Sequence, residues 1–87
     1  MNRNRGGNMK SYKGIVEFKD GEMFIKNINT NRYIKVPHYC KGAIYPNKGS
    51  AFSGYFHYND HLEDWNFVSW QDTYHAINDG DLIEVFK

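Results

Sequence analysis

Cysteine is almost absent. Cys40 stands alone among 87 residues, so no internal disulfide can form, and a reducing, cytoplasmic setting is the simpler expectation. No apolar run approaches the ~18 residues that a membrane helix requires. The segment from Met1 to Lys10 is polar and glycine-rich; it lacks the apolar core of a secretory signal. No phosphate-cradling loop is present: Gly42 and Gly49 bracket a loop, but the Lys-Ser/Thr pair of such a motif is missing. Cys40 has His38 and Lys41 close by but no orienting partner, which argues against a nucleophile. Glu63 and Asp64 are adjacent and diverge, unlike the carboxylate pair of a glycosidase. His38, Cys40, His57 and His61 lack the spacing of a zinc set. These absences leave a binding protein, with no enzyme activity, metal or cofactor expected.

Charge is what the chain has in an unusual arrangement. Residues 1–50 hold ten Lys/Arg against three acids, and residues 51–87 hold Lys87 alone against seven acids. The net charge of +1 hides this division. A basic half favours phosphate-rich partners; an acidic half favours basic ones. The two halves could also pair in a homo-oligomer.

Aromatic residues are the second abundance: seven Tyr, six Phe and two Trp bring much apolar area to a short chain. Their placement reads as β. Tyr12 to Phe18 alternates, Asp20-Gly21 is a hairpin turn, and Met23 to Ile28 returns. Asn29-Thr30-Asn31 turns again, and Arg32 to Val36 forms a third strand that Pro37 stops. Tyr39 to Gly54 reads as loop, punctuated by Gly42, Pro46 and Gly49. Phe52 to Tyr58 and Trp65 to Trp70 read as strands. Ser69 with Asp72 loosely matches a capping box, so Gln71 to Asn78 is expected as a short helix, although Thr73 and Tyr74 favour strand. Leu82 to Phe86 closes the chain as a strand. The expected architecture is a disordered arm or leader at 1–10 and one small all-β domain at 11–87. That domain is a five-stranded barrel or rolled antiparallel sheet, OB-like or SH3-like, with at most one short helix.

In the basic half, rings and cations interleave. Tyr12 precedes Lys13, Phe24 lies two before Lys26, and Tyr33 lies between Arg32 and Lys35. Single-stranded nucleic acid is held by rings that stack on bases and cations that follow phosphates. Tyr12, Phe24 and Tyr33 are therefore expected to stack, and Lys13, Lys26, Arg32 and Lys35 to meet phosphates of RNA or DNA. The competing reading places a protein interface in the acidic half at Asp64, Trp65, Trp70 and Asp72. There Trp supplies the anchor and acids steer a basic partner, as in small phage inhibitors of host proteins. Trp65 shares an alternating face with Phe67 and is expected in the core; Trp70 is expected partly exposed.

Lys13-Gly14-Ile15-Val16-Glu17-Phe18, followed by Asp20-Gly21-Glu22-Met23-Phe24-Ile25, resembles the opening hairpin of S1-like and cold-shock-like OB-fold domains. Asn78-Asp79-Gly80-Asp81-Leu82-Ile83-Glu84-Val85 is similar to their last strand. The resemblance implies a stacking position at Phe24 and makes Tyr33 and Lys35 candidates on the third strand. Between these ends the chain departs from the family pattern: Pro37 follows Val36, and Glu22 and Met23 stand inside the first ribonucleoprotein motif.

Overall fold

Asp20 and Gly21 take φ of 55° and 79°, the positive pair that a two-residue hairpin loop demands. They join strand β1 (Ser11–Lys19) to β2 (Glu22–Asn27). Asn27 builds the next turn with its side chain. Its Oδ1 accepts the N–H of Asn29 at 2.8 Å and of Thr30 at 3.3 Å, and Asn31 takes φ of 61°. The chain then re-enters as β3 (Tyr33–Lys35), completing the expected meander. This computed structural model describes residues 10–87; of the arm expected at 1–10, residues 1–9 lie outside the described residues. Lys10, assigned to that arm from the sequence, exchanges two backbone hydrogen bonds with Lys87, at 3.0 and 2.9 Å.

The remaining strands are β4 (Tyr39–Tyr45), β5 (Phe52–Asn59), β6 (Asp64–Ser69), β7 (Tyr74–Ala76) and β8 (Leu82–Phe86). All pair antiparallel in one sheet of order β3-β2-β1-β8-β4-β5-β6-β7. The domain is therefore all-β, with eight strands rather than five and a sheet that is not closed into a barrel. No helix occurs among the described residues, so none crosses a membrane.

Two further expectations are corrected. Tyr39 to Tyr45 is a strand, not a loop. Gly42 misled the reading because glycine usually punctuates. Here it lies directly opposite Gly54, and a Cβ on it would sit 2.1 Å from the Glu84 carbonyl oxygen and 2.6 Å from the Phe56 ring. The glycine lets neighbouring groups close in where the strands pack tightest. The second correction is the helix at Gln71 to Asn78. Ser69 Oγ accepts the N–H of Gln71 and of Thr73, both at 3.2 Å, but the turn it fixes is tight. Asp72 takes φ of 64° there, and the strand preference of Thr73 and Tyr74 then sends the chain into β7.

Every second residue of the long strands enters the core. Val16, Met23, Ile25, Phe56, Phe67, Ile83 and Val85 are completely buried, and Phe56 and Phe67 pack with ring centroids 4.9 Å apart. The sheet curls so that its distant strands meet over this core. Trp65 on β6 is 3% exposed, and its indole N–H donates to the Gly21 carbonyl of the β1–β2 turn at 3.1 Å. His38, in the β3–β4 link, stacks on Tyr58 at 4.6 Å and meets Trp65 nearly perpendicular at 5.5 Å. Val36 in the same link is fully buried. The β7–β8 link ties back to β1: Asp79 Oδ1 accepts the Phe18 N–H at 2.8 Å, and the Val16 N–H donates to the Asp81 carbonyl at 2.9 Å.

Candidate nucleic-acid interface

Alternation that buries Val16, Met23 and Ile25 sends their neighbours outward. The outer face of β1–β2–β3 carries Lys13, Glu17 and Lys19; then Glu22, Phe24 and Lys26; then Tyr33 and Lys35. Register orders them into a checkerboard. Phe24 lies directly opposite Lys35, and Tyr33 directly opposite Lys26. Half-buried Phe24 and exposed Tyr33 thus each have a cation opposite on the adjacent strand. Glu17, Lys19, Phe24 and Tyr33 line a groove of about 340 Å³, within the ~300–1,000 Å³ range of small-ligand sites.

The acids on this face position the rings and cations. Tyr33, 55% exposed, donates its hydroxyl to the Glu17 carboxylate at 3.1 Å. That hydrogen bond to a carboxylate raises the Tyr33 pKa above its ordinary value. The bond holds the ring by its edge and leaves a face free. Glu22 pairs with Lys35 at 3.0 Å and lies 3.3 Å from His38 Nε2. The hydrogen bond from Lys35, then that from His38, lower the Glu22 pKa. At the far side of β1, Lys13 Nζ stands 4.2 Å from the centre of the Tyr45 ring, while the Tyr45 hydroxyl donates to Glu84 at 2.7 Å.

The structure divides the residues singled out from the sequence. Phe24, Lys26, Tyr33 and Lys35 form one contiguous patch. Lys13 is on the same face but separated from Phe24, engaged with Tyr45. Arg32 is exposed in the link before β3. Tyr12 points the other way: it is opposite buried Val85 and packs against the core, so it does not share a face with Phe24 and Tyr33. It is in step with Gly14 and Val16, but Ile15 and Val16 are both apolar, so alternation along β1 alone does not say which face is inner. In the acidic half, Trp65 fills the core and Trp70 is 54% exposed; the four residues grouped there from the sequence are thereby split between inside and outside. Asp64 and Asp72 are exposed.

Sequence reasoning missed a second aromatic group. Tyr39 on β4 and Tyr55 on β5 lie 4.8 Å apart at 30°, and Tyr55 lies 5.6 Å from Trp70 at 41°. Lys41 is directly opposite Tyr55. The Tyr39-x-Lys41 spacing is visible in the sequence as one more ring–cation pair, but its pairing with Tyr55 is not, because β4 reads as loop.

Among the described residues, no three His, Cys, Asp or Glu side chains are grouped to hold a metal. Cys40 is buried, and burial raises the pKa of its thiol. No protein-family model, curated protein or solved structure matches this chain.

Proposed function

We propose that this protein is a non-catalytic binding module for single-stranded nucleic acid, RNA or DNA, and that β2 and β3 carry its primary contact. The observation behind this reading is the ring–cation checkerboard: Phe24 opposite Lys35 and Tyr33 opposite Lys26, around the groove of about 340 Å³. Bases stack on Phe24 and on the free face of Tyr33. Phosphates meet Lys26 and Lys35, with Arg32 at the edge. Base stacking is worth ~1–3 kcal/mol per base and tolerates any sequence, because every base has a π face. Rings on a rigid strand pair lose little entropy on binding, since alternation and the Glu17 hydrogen bond already fix them. The resemblance of the opening hairpin to OB-fold nucleic-acid binders, with Phe24 at the stacking position, agrees with this assignment.

Double-stranded nucleic acid fits the same surface poorly, because its bases are already stacked. Fluorescence anisotropy tests the reading with labelled single strands and duplexes of one sequence. Single strands should bind more tightly, and affinity should fall with rising salt as counterions are released. Equal affinity for both forms, or no dependence on salt, would refute it.

A further inference from the structure

We propose that Tyr39, Tyr55 and Trp70 form a second stacking contact for single-stranded nucleic acid, on the β4–β6 flank of the sheet. The inference rests on the nucleic-acid reading above and adds a separate site to it.

Three strands build the file of rings. Tyr39 comes from β4, Tyr55 from β5, and Trp70 follows β6 directly. The centroid steps are 4.8 and 5.6 Å, within the spacing of stacked and tilted ring pairs. The platform is fixed from below and at its end. Val68, on the outer face of β6 opposite both Tyr55 and Tyr74, is only 3% exposed, so it is covered on a face that otherwise meets water. The Trp70 N–H donates to the Ser53 carbonyl at 3.1 Å. Tyr39 and Tyr74 remain 56% and 73% exposed. A contiguous exposed aromatic patch on a small domain marks a contact surface.

Charge selects the occupant. Lys41 is the charged residue of β4 and β5 and sits opposite Tyr55. This repeats the opposition of Phe24 to Lys35 and of Tyr33 to Lys26. Asp64 opens β6 at the end far from Trp70, and Asp72 lies in the β6–β7 turn, two residues beyond Trp70. A cation among the rings with acids at the margin favours a phosphate-bearing ligand over a basic protein.

The two contacts are distinct. β1 and β8 separate β2 from β4, a distance of roughly 14 Å at ~4.8 Å per strand. Glu17 and Glu84 occupy the outer face between them, held by the hydroxyls of Tyr33 and Tyr45. Lys13, directly opposite Glu84, and Lys19 share that face, so the ground between the two ring sites carries both signs and a strand can cross it. A strand long enough to reach both gains affinity through effective concentration, without a new kind of contact.

The fluorescence of the full-length chain tests this directly, because Trp70 is exposed and Trp65 is buried. Poly(dT) strands of about 5 and about 20 nucleotides lie near the lower end of, and beyond, the ~4–16-nucleotide footprint of an OB fold. The longer strand should quench the Trp70 emission and leave that of Trp65. In Trp70→Ala and, separately, Tyr39→Ala, affinity for the longer strand should fall about tenfold or more, one stacked base being worth ~1–3 kcal/mol. Melting temperatures measured alongside confirm that each variant is folded. If the strands bind but Trp70 is not quenched and both variants bind normally, the second contact is overturned and the β2–β3 reading stands. If no strand binds, both fall. If poly-lysine shields Trp70 and the oligonucleotides do not, the face belongs to a basic protein and the proposal is overturned.

Discussion

Phe24 on β2 and Lys35 on β3 face each other across one antiparallel register step, and Lys35 is held there by Glu22 at 3.0 Å. Without that pairing, a lysine on a three-residue edge strand would sample solvent freely. With it, the ammonium group is held at the Glu22 carboxylate, on the strand that carries Phe24. Glu22 also reaches His38, so one carboxylate links the candidate interface to the seam where the sheet closes over its core.

The cations of the interface should be countable by salt. In single-stranded binding, each neutralised phosphate contributes about −0.7 to the log–log slope of affinity against salt. Replacing Lys26 and Lys35 together by Gln removes two contacts, so the slope should become shallower by roughly 1.4. Anisotropy titrations over a range of salt concentrations measure it. An unchanged slope would place the phosphate contacts elsewhere.

Glu22 gives the fold a dependence on acid. Its pKa is lowered in the folded protein by Lys35 and His38. A lowered folded value means that the stabilisation is complete above the unfolded pKa and is lost as pH falls through the folded one. The loss therefore lies below the ordinary carboxylate range, ~4.3 for Glu. Glu22→Gln should lower stability at neutral pH slightly and remove part of the acid-side slope. Melting curves from neutral pH down to about 3 follow this. Parallel curves for the variant and the parent would show that the pair contributes nothing.

The two tryptophans should behave oppositely. Trp65 is buried and donates to the Gly21 carbonyl, so Trp65→Ala should cost ~3–5 kcal/mol. That is a large part of what a domain of this size has. Trp70→Ala removes an exposed ring and should stay within ~0.5 kcal/mol. Denaturant titrations of both variants decide the matter, and comparable losses would contradict the division between core and surface.

Much of this division was legible in the sequence. Trp65 and Phe67 alternate, and both are core; Trp70 falls beside Gln71 and Asp72 and is outside. The β1–β2–β3 meander was readable because Asp20-Gly21 and Asn29-Thr30-Asn31 announce their turns chemically. What was not readable depends on distant partners. Gly42 looks like punctuation until Phe56 and the Glu84 carbonyl are seen against it. β7 follows a turn whose local signals also suit a helix start. Tyr12 could be assigned to the inner face only once β8 was paired beside β1. The file Tyr39–Tyr55–Trp70 gathers residues from three strands, and its register cannot be read from any one of them.

Gly42 and Gly54 test the account of the curl. A Cβ at Gly54 would lie 2.1 Å from the Val68 carbonyl oxygen, as close as the one at Gly42 to Glu84. Backbone atoms cannot step aside as a side-chain end can. Gly42→Ala should therefore cost at least ~2 kcal/mol, lowering the melting temperature by roughly 10 °C or more. Gly49→Ala serves as the contrast, since no atom lies within 4 Å of its Cβ position and only its φ of 91° resists the change. A Gly42→Ala protein that melts like the parent would mean that the strands do not approach as described.

The central claim is that bases stack on Phe24 and Tyr33. Its most direct test follows the aromatic ring protons of both residues by NMR as a short poly(dT) strand is added at low salt. Stacked bases shift such protons upfield, so the Phe24 and Tyr33 signals should move together and saturate. The ring of Phe56, completely buried in the core, should not move. Saturable shifts at Phe24 and Tyr33 are the predicted result; a strand that binds while both rings keep their free positions would contradict the account.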